Sequence, residues 1–101
     1  MLTKAEVLQK LSDHKGELQA KYLLKSIALF GSYARGEQTQ ESDIDVLVEF
    51  SEPVGFEFID LLEELEKIFN QKVDLVSKRG IKSHYLPDIE DDVIYVVADI
   101  L

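Results

Sequence analysis

The sequence contains no cysteine and no tryptophan, only two prolines, and far fewer basic than acidic residues. Without cysteine, neither a disulfide framework nor a cysteine-ligated zinc site can form. With 20 acidic residues against 11 basic ones, and a net charge of -9, the chain lacks the basic surface that extensive nucleic-acid binding requires. A small polyanion is not excluded, because a bound metal ion masks local negative charge.

Long apolar runs are also missing. No segment approaches the roughly 20 apolar residues of a membrane span, and the first ten residues lack the apolar stretch of a signal peptide. We therefore expect a cytoplasmic protein without membrane contact. Repeats, low-complexity tracts and flexible linkers are missing too, so residues 1–101 are expected to form a single domain.

Helical patterns occupy two parts of the chain. Thr3 followed by Glu6 forms a capping box, after which apolar residues recur at helical spacing. Gly16 is expected to end or bend this helix, and a second helical segment should then run to Leu23. The clearest helix is predicted at residues 58–69, where six apolar residues recur at helical spacing.

Three strands are predicted, at residues 26–30, 43–50 and 72–77. The second and third flank the long helix and therefore form a β-α-β unit with parallel strands. A loop of about a dozen residues joins the first strand to the second, which favours an antiparallel pair. These elements predict an α/β (α+β) domain in which a small mixed β-sheet packs against helices.

This topology brings charged residues from distant segments to one edge of the sheet. Asp43 and Asp45 begin the second strand, Asp74 lies near the start of the third, and the first strand ends at the Gly31-Ser32 pair. An Asp pair at a strand start is by itself usually a solvated edge. Three clustered carboxylates repel one another, and Mg²⁺ relieves such repulsion because it prefers oxygen ligands. Two ions about 3.5–4 Å apart can clamp an in-line displacement at phosphorus.

The Gly-Ser pair suits an approaching phosphate. Gly31 has no Cβ, so a phosphate can come close to the backbone, and Ser32 offers a hydroxyl and an N–H group. Arg35 lies one helical turn later and is either a phosphate ligand or a plain surface charge.

Two later segments allow two interpretations each. Lys78, Arg79 and Lys82 form either a simple surface cluster or a contact to a nucleotide or an RNA-binding partner. Residues 94–97 are predicted to be a strand or a partner-facing patch, and residues 88–92 are a candidate helix.

The segment at residues 31–50, GSYARGEQTQESDIDVLVEF, resembles the signature of the polymerase-β-like nucleotidyltransferase superfamily. A Gly-Ser pair is followed by ten residues and then by Asp-x-Asp at 43–45, and Asp74 supplies the third Asp expected on a later strand. The short length and the GSYARGE wording are most similar to the minimal nucleotidyltransferase (MNT) family.

The resemblance implies the polymerase-β-like nucleotidyltransferase fold and an enzyme that uses ATP with Mg²⁺, as a pair of ions. MNT proteins are typically antitoxins encoded beside a HEPN-domain ribonuclease toxin, and they can neutralise it by transferring AMP to a tyrosine hydroxyl. By analogy, Gly31 and Ser32 would hold the triphosphate, and Asp43, Asp45 and Asp74 would hold the metal. None of these positions departs from the family pattern.

Larger relatives carry an additional acceptor-binding domain, for which 101 residues leave little room. The acceptor surface is therefore expected from a partner or a second copy, in a homo- or hetero-oligomer. Two other functions stay open: a non-catalytic antitoxin that masks its toxin by binding, and a nucleotidyltransferase acting on a small molecule such as an aminoglycoside.

Overall fold

A computed structural model describes residues 1–80 and 92–96. Its elements are α1 (Lys4–Tyr22), β1 (Leu24–Phe30), α2 (Gly31–Arg35), β2 (Ile44–Phe50), α3 (Glu57–Phe69), β3 (Val73–Ser77), a 3₁₀ turn (Lys78–Gly80) and β4 (Ile94–Tyr95). Within these residues the strands form one sheet in the order β3-β2-β1-β4. Strand β2 runs parallel to β3, whereas β1 runs antiparallel to both β2 and β4. The predicted mixed sheet and its strand directions are confirmed.

The core lies between one face of the sheet and the two long helices. Alternate residues of β2 point toward these helices, and Ile44, Val46 and Val48 are fully buried there together with Leu61 and Leu65 of α3. Burying one such side chain contributes about 1.5–3 kcal/mol. The residues of β2 that alternate with these, among them its acidic residues, lie on the other face of the sheet.

Helix α1 differs from the prediction, because Gly16 neither ends it nor divides it into two segments. One helix of 19 residues runs from Lys4 to Tyr22, and it begins at the predicted capping box. Gly16 is exposed, and a mid-helix glycine costs only about 1 kcal/mol relative to alanine. Apolar residues on both sides of the glycine, Val7 and Leu18 among them, are buried in the same core. This packing outweighs the local cost.

The remaining boundaries follow the predictions closely. Strand β1 starts two residues earlier than expected, and one helical turn, α2, follows it directly. Residues 94–95 form the predicted strand, with Val96 buried and Tyr95 42% exposed. The candidate helix at 88–92 and the apolar residues after 96 fall largely outside the described residues. In the part of the chain that is described, no helix has the length and apolar character to span a membrane.

Candidate active site

The sheet register brings the two Asp-containing strands into direct opposition. Asp45 of β2 is the Cα partner of Asp74 in parallel β3, and on its other side it is the partner of Phe30, the last residue of β1. The Gly-Ser pair follows Phe30 immediately, so it lies at the same edge. Segments 31–32, 43–45 and 74 therefore converge as the topology predicted.

Gly31 and Asp45 are in direct contact. The backbone at Gly31 has φ +73°, in the left-handed region that favours glycine. A Cβ at this position would lie 2.0 Å from Oδ2 and 2.8 Å from Cγ of Asp45. The glycine therefore provides both the turn from β1 into α2 and the space that the Asp45 carboxylate occupies.

The environment of Asp45 opposes its ionisation. The pKa of its carboxyl is raised from 3.8 to about 6, chiefly by burial and then by the neighbouring Asp74 through charge repulsion and a shared hydrogen bond. The charge of Asp43 contributes to this rise, whereas the Arg35 guanidinium opposes it. A group of carboxylate oxygens with unrelieved repulsion is a donor set that fits a hard cation such as Mg²⁺.

The three carboxylates differ in accessibility. Asp74 is exposed and Asp43 is 40% exposed, with Lys72 Nζ 4.0 Å from its Oδ2. Among the described residues, no three acidic, histidine or cysteine side chains converge closely enough to hold a metal ion by themselves. Mg²⁺ commonly binds through one or two carboxylates, with substrate phosphates and water completing its shell. The arrangement therefore suits a metal that arrives together with a nucleotide.

Arg35 is already paired with two carboxylates. Its Nε donates to Glu37 at 2.7 Å, and its Nη1 donates to Asp92 at 2.8 Å. Both contacts raise the pKa of the guanidinium, the Glu37 hydrogen bond most strongly. Arg35 also lowers the pKa of Asp45, so the charge of its guanidinium acts on the carboxylate site. A phosphate bound there would have to compete with Glu37 and Asp92 for the N–H groups of Arg35.

A further polar contact near the site has no evident pattern in the sequence. The Nε2 of Gln71 donates to the hydroxyl of Tyr33 at 3.0 Å and to the carbonyl oxygen of Ser42 at 3.2 Å. The three residues are far apart in the chain, so no local spacing predicts the contact.

Away from the site, part of the predicted basic cluster is engaged elsewhere. Lys78 Nζ lies 3.8 Å from Glu49 and 4.9 Å from the centre of the Tyr95 ring. Arg79 is exposed, and Lys82 lies outside the described residues.

Comparison with known proteins agrees with this geometry. A protein-family profile described as "Nucleotidyltransferase domain" matches residues 11–96. The protein adenylyltransferase MntA of Thermococcus cleftensis is 42% identical over 97 residues, which cover 95% of this chain and 98% of that protein. MJ1379 of Methanocaldococcus jannaschii is 54% identical over 100 residues, covering 95% of this chain and all of that protein.

The fold is also shared with a solved complex. A chain in the structure of a tri-AMPylated HEPN toxin of Shewanella oneidensis with its MNT antitoxin superposes with a TM-score of 0.67 at 21% identity, covering 91% of this chain and 73% of that chain. At this identity the likeness concerns the fold alone. On the profile match and the two close relatives, the chain belongs to the nucleotidyltransferase family, in the minimal nucleotidyltransferase branch that the protein adenylyltransferases represent.

Proposed function

We propose that this protein transfers AMP from ATP to a tyrosine hydroxyl of a cognate HEPN ribonuclease toxin and thereby acts as its antitoxin. The observation that carries the proposal is the direct opposition of Asp45 and Asp74 beside Gly31. It places carboxylates for a metal ion beside the glycine turn between β1 and α2, which is the combination that nucleotidyl transfer needs.

In this proposal Asp43, Asp45 and Asp74 hold Mg²⁺, as a pair of ions, with the nucleotide phosphates. The raised pKa of Asp45 supports the assignment, because burial and the charges of Asp74 and Asp43 oppose a negative charge on this carboxyl, and a divalent cation would stabilise that charge. When bound, Mg²⁺ neutralises the phosphate charge and polarises the reacting phosphorus centre.

The nucleotide is assigned to the turn after β1. The triphosphate lies against the backbone of Gly31, where a side chain would collide with Asp45. Ser32 donates through its hydroxyl and N–H groups. Arg35 exchanges one of its carboxylate partners for a phosphate oxygen.

The reaction is a displacement at the α-phosphorus of ATP. The acceptor oxygen forms a bond to this phosphorus while the bond to the bridging oxygen of the β-phosphate breaks, and pyrophosphate leaves with that electron pair. The acceptor hydroxyl gives up its proton, and Asp74 is the exposed carboxylate placed to receive it.

The acceptor is assigned to a partner protein. The fold is shared with a chain of the complex in which the HEPN toxin carries AMP groups beside an MNT antitoxin, and the relative MntA of Thermococcus cleftensis is a protein adenylyltransferase. Residues 1–101 are then one catalytic domain working in the cytoplasm, in a hetero-oligomer with the toxin.

The test is intact mass spectrometry of the product of the neighbouring gene, the position at which the toxins of MNT antitoxins are typically encoded. It is co-expressed with the wild-type protein, with Asp43→Ala/Asp45→Ala, or with the matched control Asp60→Ala/Glu63→Ala. The control pair lies on the exposed face of α3 and removes the same charge. We expect whole AMP units on the partner with the wild type and the control, and none with the site variant.

The other outcomes distinguish the alternatives. An unmodified partner that forms a stable complex with wild type and site variant alike would make the protein a masking antitoxin. Turnover with free small acceptors, and none with the partner, would assign it to small-molecule modification.

A further inference from the structure

The side chain of Gln71 connects three segments that carry the site. It is half-buried between the end of α3 and the start of β3, and its amide donates to the Tyr33 hydroxyl and the Ser42 carbonyl. A carbonyl oxygen only accepts hydrogen bonds, so the Ser42 contact requires the amide nitrogen and fixes the orientation of the amide group.

Each acceptor is adjacent in sequence to the site. Tyr33 directly follows the serine of the Gly-Ser pair, and Ser42 directly precedes the first carboxylate. Tyr33 is only 1% exposed, so a hydroxyl without a partner there would be costly. Gln71 itself stands three residues before the carboxylate of β3.

The ladder between β2 and β3 begins just after this contact. The N–H of Ile44 donates to the carbonyl of Lys72 at 3.1 Å, and the paired residues follow from there. Asp43 precedes the first paired residue, so the strand ladder holds its backbone only through the peptide group that joins it to Ile44. The bond between Gln71 and Ser42 anchors the chain at that point.

We propose that Gln71 is a positioning residue for nucleotidyl transfer, because its amide holds the start of β2 and the helical turn α2 against the start of β3. It thereby sets the distance between Asp43 and the opposed pair Asp45 and Asp74. This inference rests on the proposed function of the carboxylate site, and it concerns how tightly the site takes the metal–nucleotide complex.

The test compares variants by their affinity for Mg²⁺·AMP-PNP, measured by calorimetry on the full chain. Gln71→Leu removes both hydrogen bonds without adding charge, and we expect about tenfold weaker binding, as for other partners that orient metal ligands. Tyr33→Phe removes one of the two bonds and should weaken binding less. The double variant should bind as Gln71→Leu does, because Gln71→Leu already removes the hydrogen bond that Tyr33→Phe removes.

Two matched controls separate positioning from general stability. Gln38→Leu removes the hydrogen bond that the Gln38 side-chain amide donates to the carbonyl oxygen of Leu2. Tyr22→Phe removes the part-buried hydrogen bond that the Tyr22 hydroxyl donates to Glu64. Both are expected to bind Mg²⁺·AMP-PNP as the wild type does, whatever their melting temperatures.

Unchanged affinity in Gln71→Leu, with only a lowered melting temperature, would overturn the proposal and leave a structural role. If Gln71→Leu does not fold, Tyr33→Phe decides, and wild-type affinity in that variant would likewise overturn it. The binding measurement does not depend on AMP transfer. A wild type that binds the nucleotide but modifies no acceptor would therefore refute the proposed function without touching the role of Gln71.

Discussion

A Cβ on Gly31 would lie 2.0 Å from the Oδ2 of Asp45, so the carboxylate of Asp45 occupies the space that any other residue at position 31 would need for its side chain. The two residues are fourteen positions apart, and antiparallel pairing of β1 with β2 brings them together. The glycine at position 31 is therefore a steric requirement of this corner of the sheet, where the Gly-Ser and Asp-x-Asp motifs meet.

Gly31→Ala is expected to cost more stability than Gly36→Ala. Both glycines have positive φ, +73° and +70°, but a Cβ on Gly36 meets nothing within 4 Å. Each substitution carries about 1–2 kcal/mol of backbone strain, and the collision with Asp45 should add about 1–3 kcal/mol at Gly31 alone. Urea denaturation of the two variants measures the difference.

The same pair of variants has an internal check. In the background of Asp45→Ala, the excess cost of Gly31→Ala over Gly36→Ala should largely disappear, because the colliding carboxylate is gone. An excess that persists would mean that the contact with Asp45 is not its cause.

The metal-free protein is expected to lose stability as the pH rises through about 6. The pKa of Asp45 is about 6 in the fold against 3.8 for the free group, so the folded state binds the proton more tightly. The stabilisation by the bound proton is fully present below pH 3.8, the pKa of the free carboxyl group, and is lost as the pH rises through about 6, the pKa of Asp45 in the fold. The shift corresponds to about 3 kcal/mol in a dry site, which solvent screening at a half-buried carboxylate reduces to about 1 kcal/mol.

Thermal melting of wild type and Asp45→Asn across this pH range measures the effect. The variant should be the more stable by about 1 kcal/mol above pH 6, and its advantage should shrink toward low pH. Asp60→Asn reports the effect of removing one negative charge from the exposed face of α3. If it has the same pH profile as Asp45→Asn, the local cause assigned here is wrong.

Mg²⁺ is expected to bind weakly to the free protein and at least about tenfold more tightly with AMP-PNP present, because substrate phosphates complete its coordination shell. Binding to the free protein should be weak because, within residues 1–80 and 92–96, no three acidic, histidine or cysteine side chains form a ready metal site. Calorimetric titrations with and without the nucleotide test this, with Asp43→Ala/Asp45→Ala as the reference. Equal, tight binding in both titrations would contradict the prediction.

Arg35→Ala is expected to raise the KM for ATP by about tenfold, because a charge-assisted hydrogen bond to phosphate is lost and its effect is partly offset by the pairs with Glu37 and Asp92. The loss of these exposed pairs should leave the midpoint of urea denaturation nearly unchanged, because exposed ion pairs contribute little to stability. Arg79→Ala, at an exposed arginine of the 3₁₀ turn, is the matched control. A KM that stays at the wild-type value would make Arg35 a surface charge.

Much of the fold could be read from local patterns in the sequence. The alternation in β2 and the helical spacing in α3 identify a β-α-β unit, and its helical crossover makes the two strands parallel. Asp45 and Asp74 could thus be placed at one edge without knowledge of any contact. The continuity of α1 through Gly16 could not be predicted from local patterns, because it depends on core packing by residues on both sides of that glycine.

The sequence by itself therefore determined the order of the elements and the motif residues that meet at one edge of the sheet, since the spacing of the Gly-Ser and Asp-x-Asp motifs and the periodicity of apolar residues are local properties. Only the tertiary structure decided the pKa of Asp45, the partners of Arg35 and the contact of Gln71 with Tyr33 and Ser42. Each of these depends on burial, or on atoms brought together from distant parts of the chain, and no local pattern in the sequence specifies such distances.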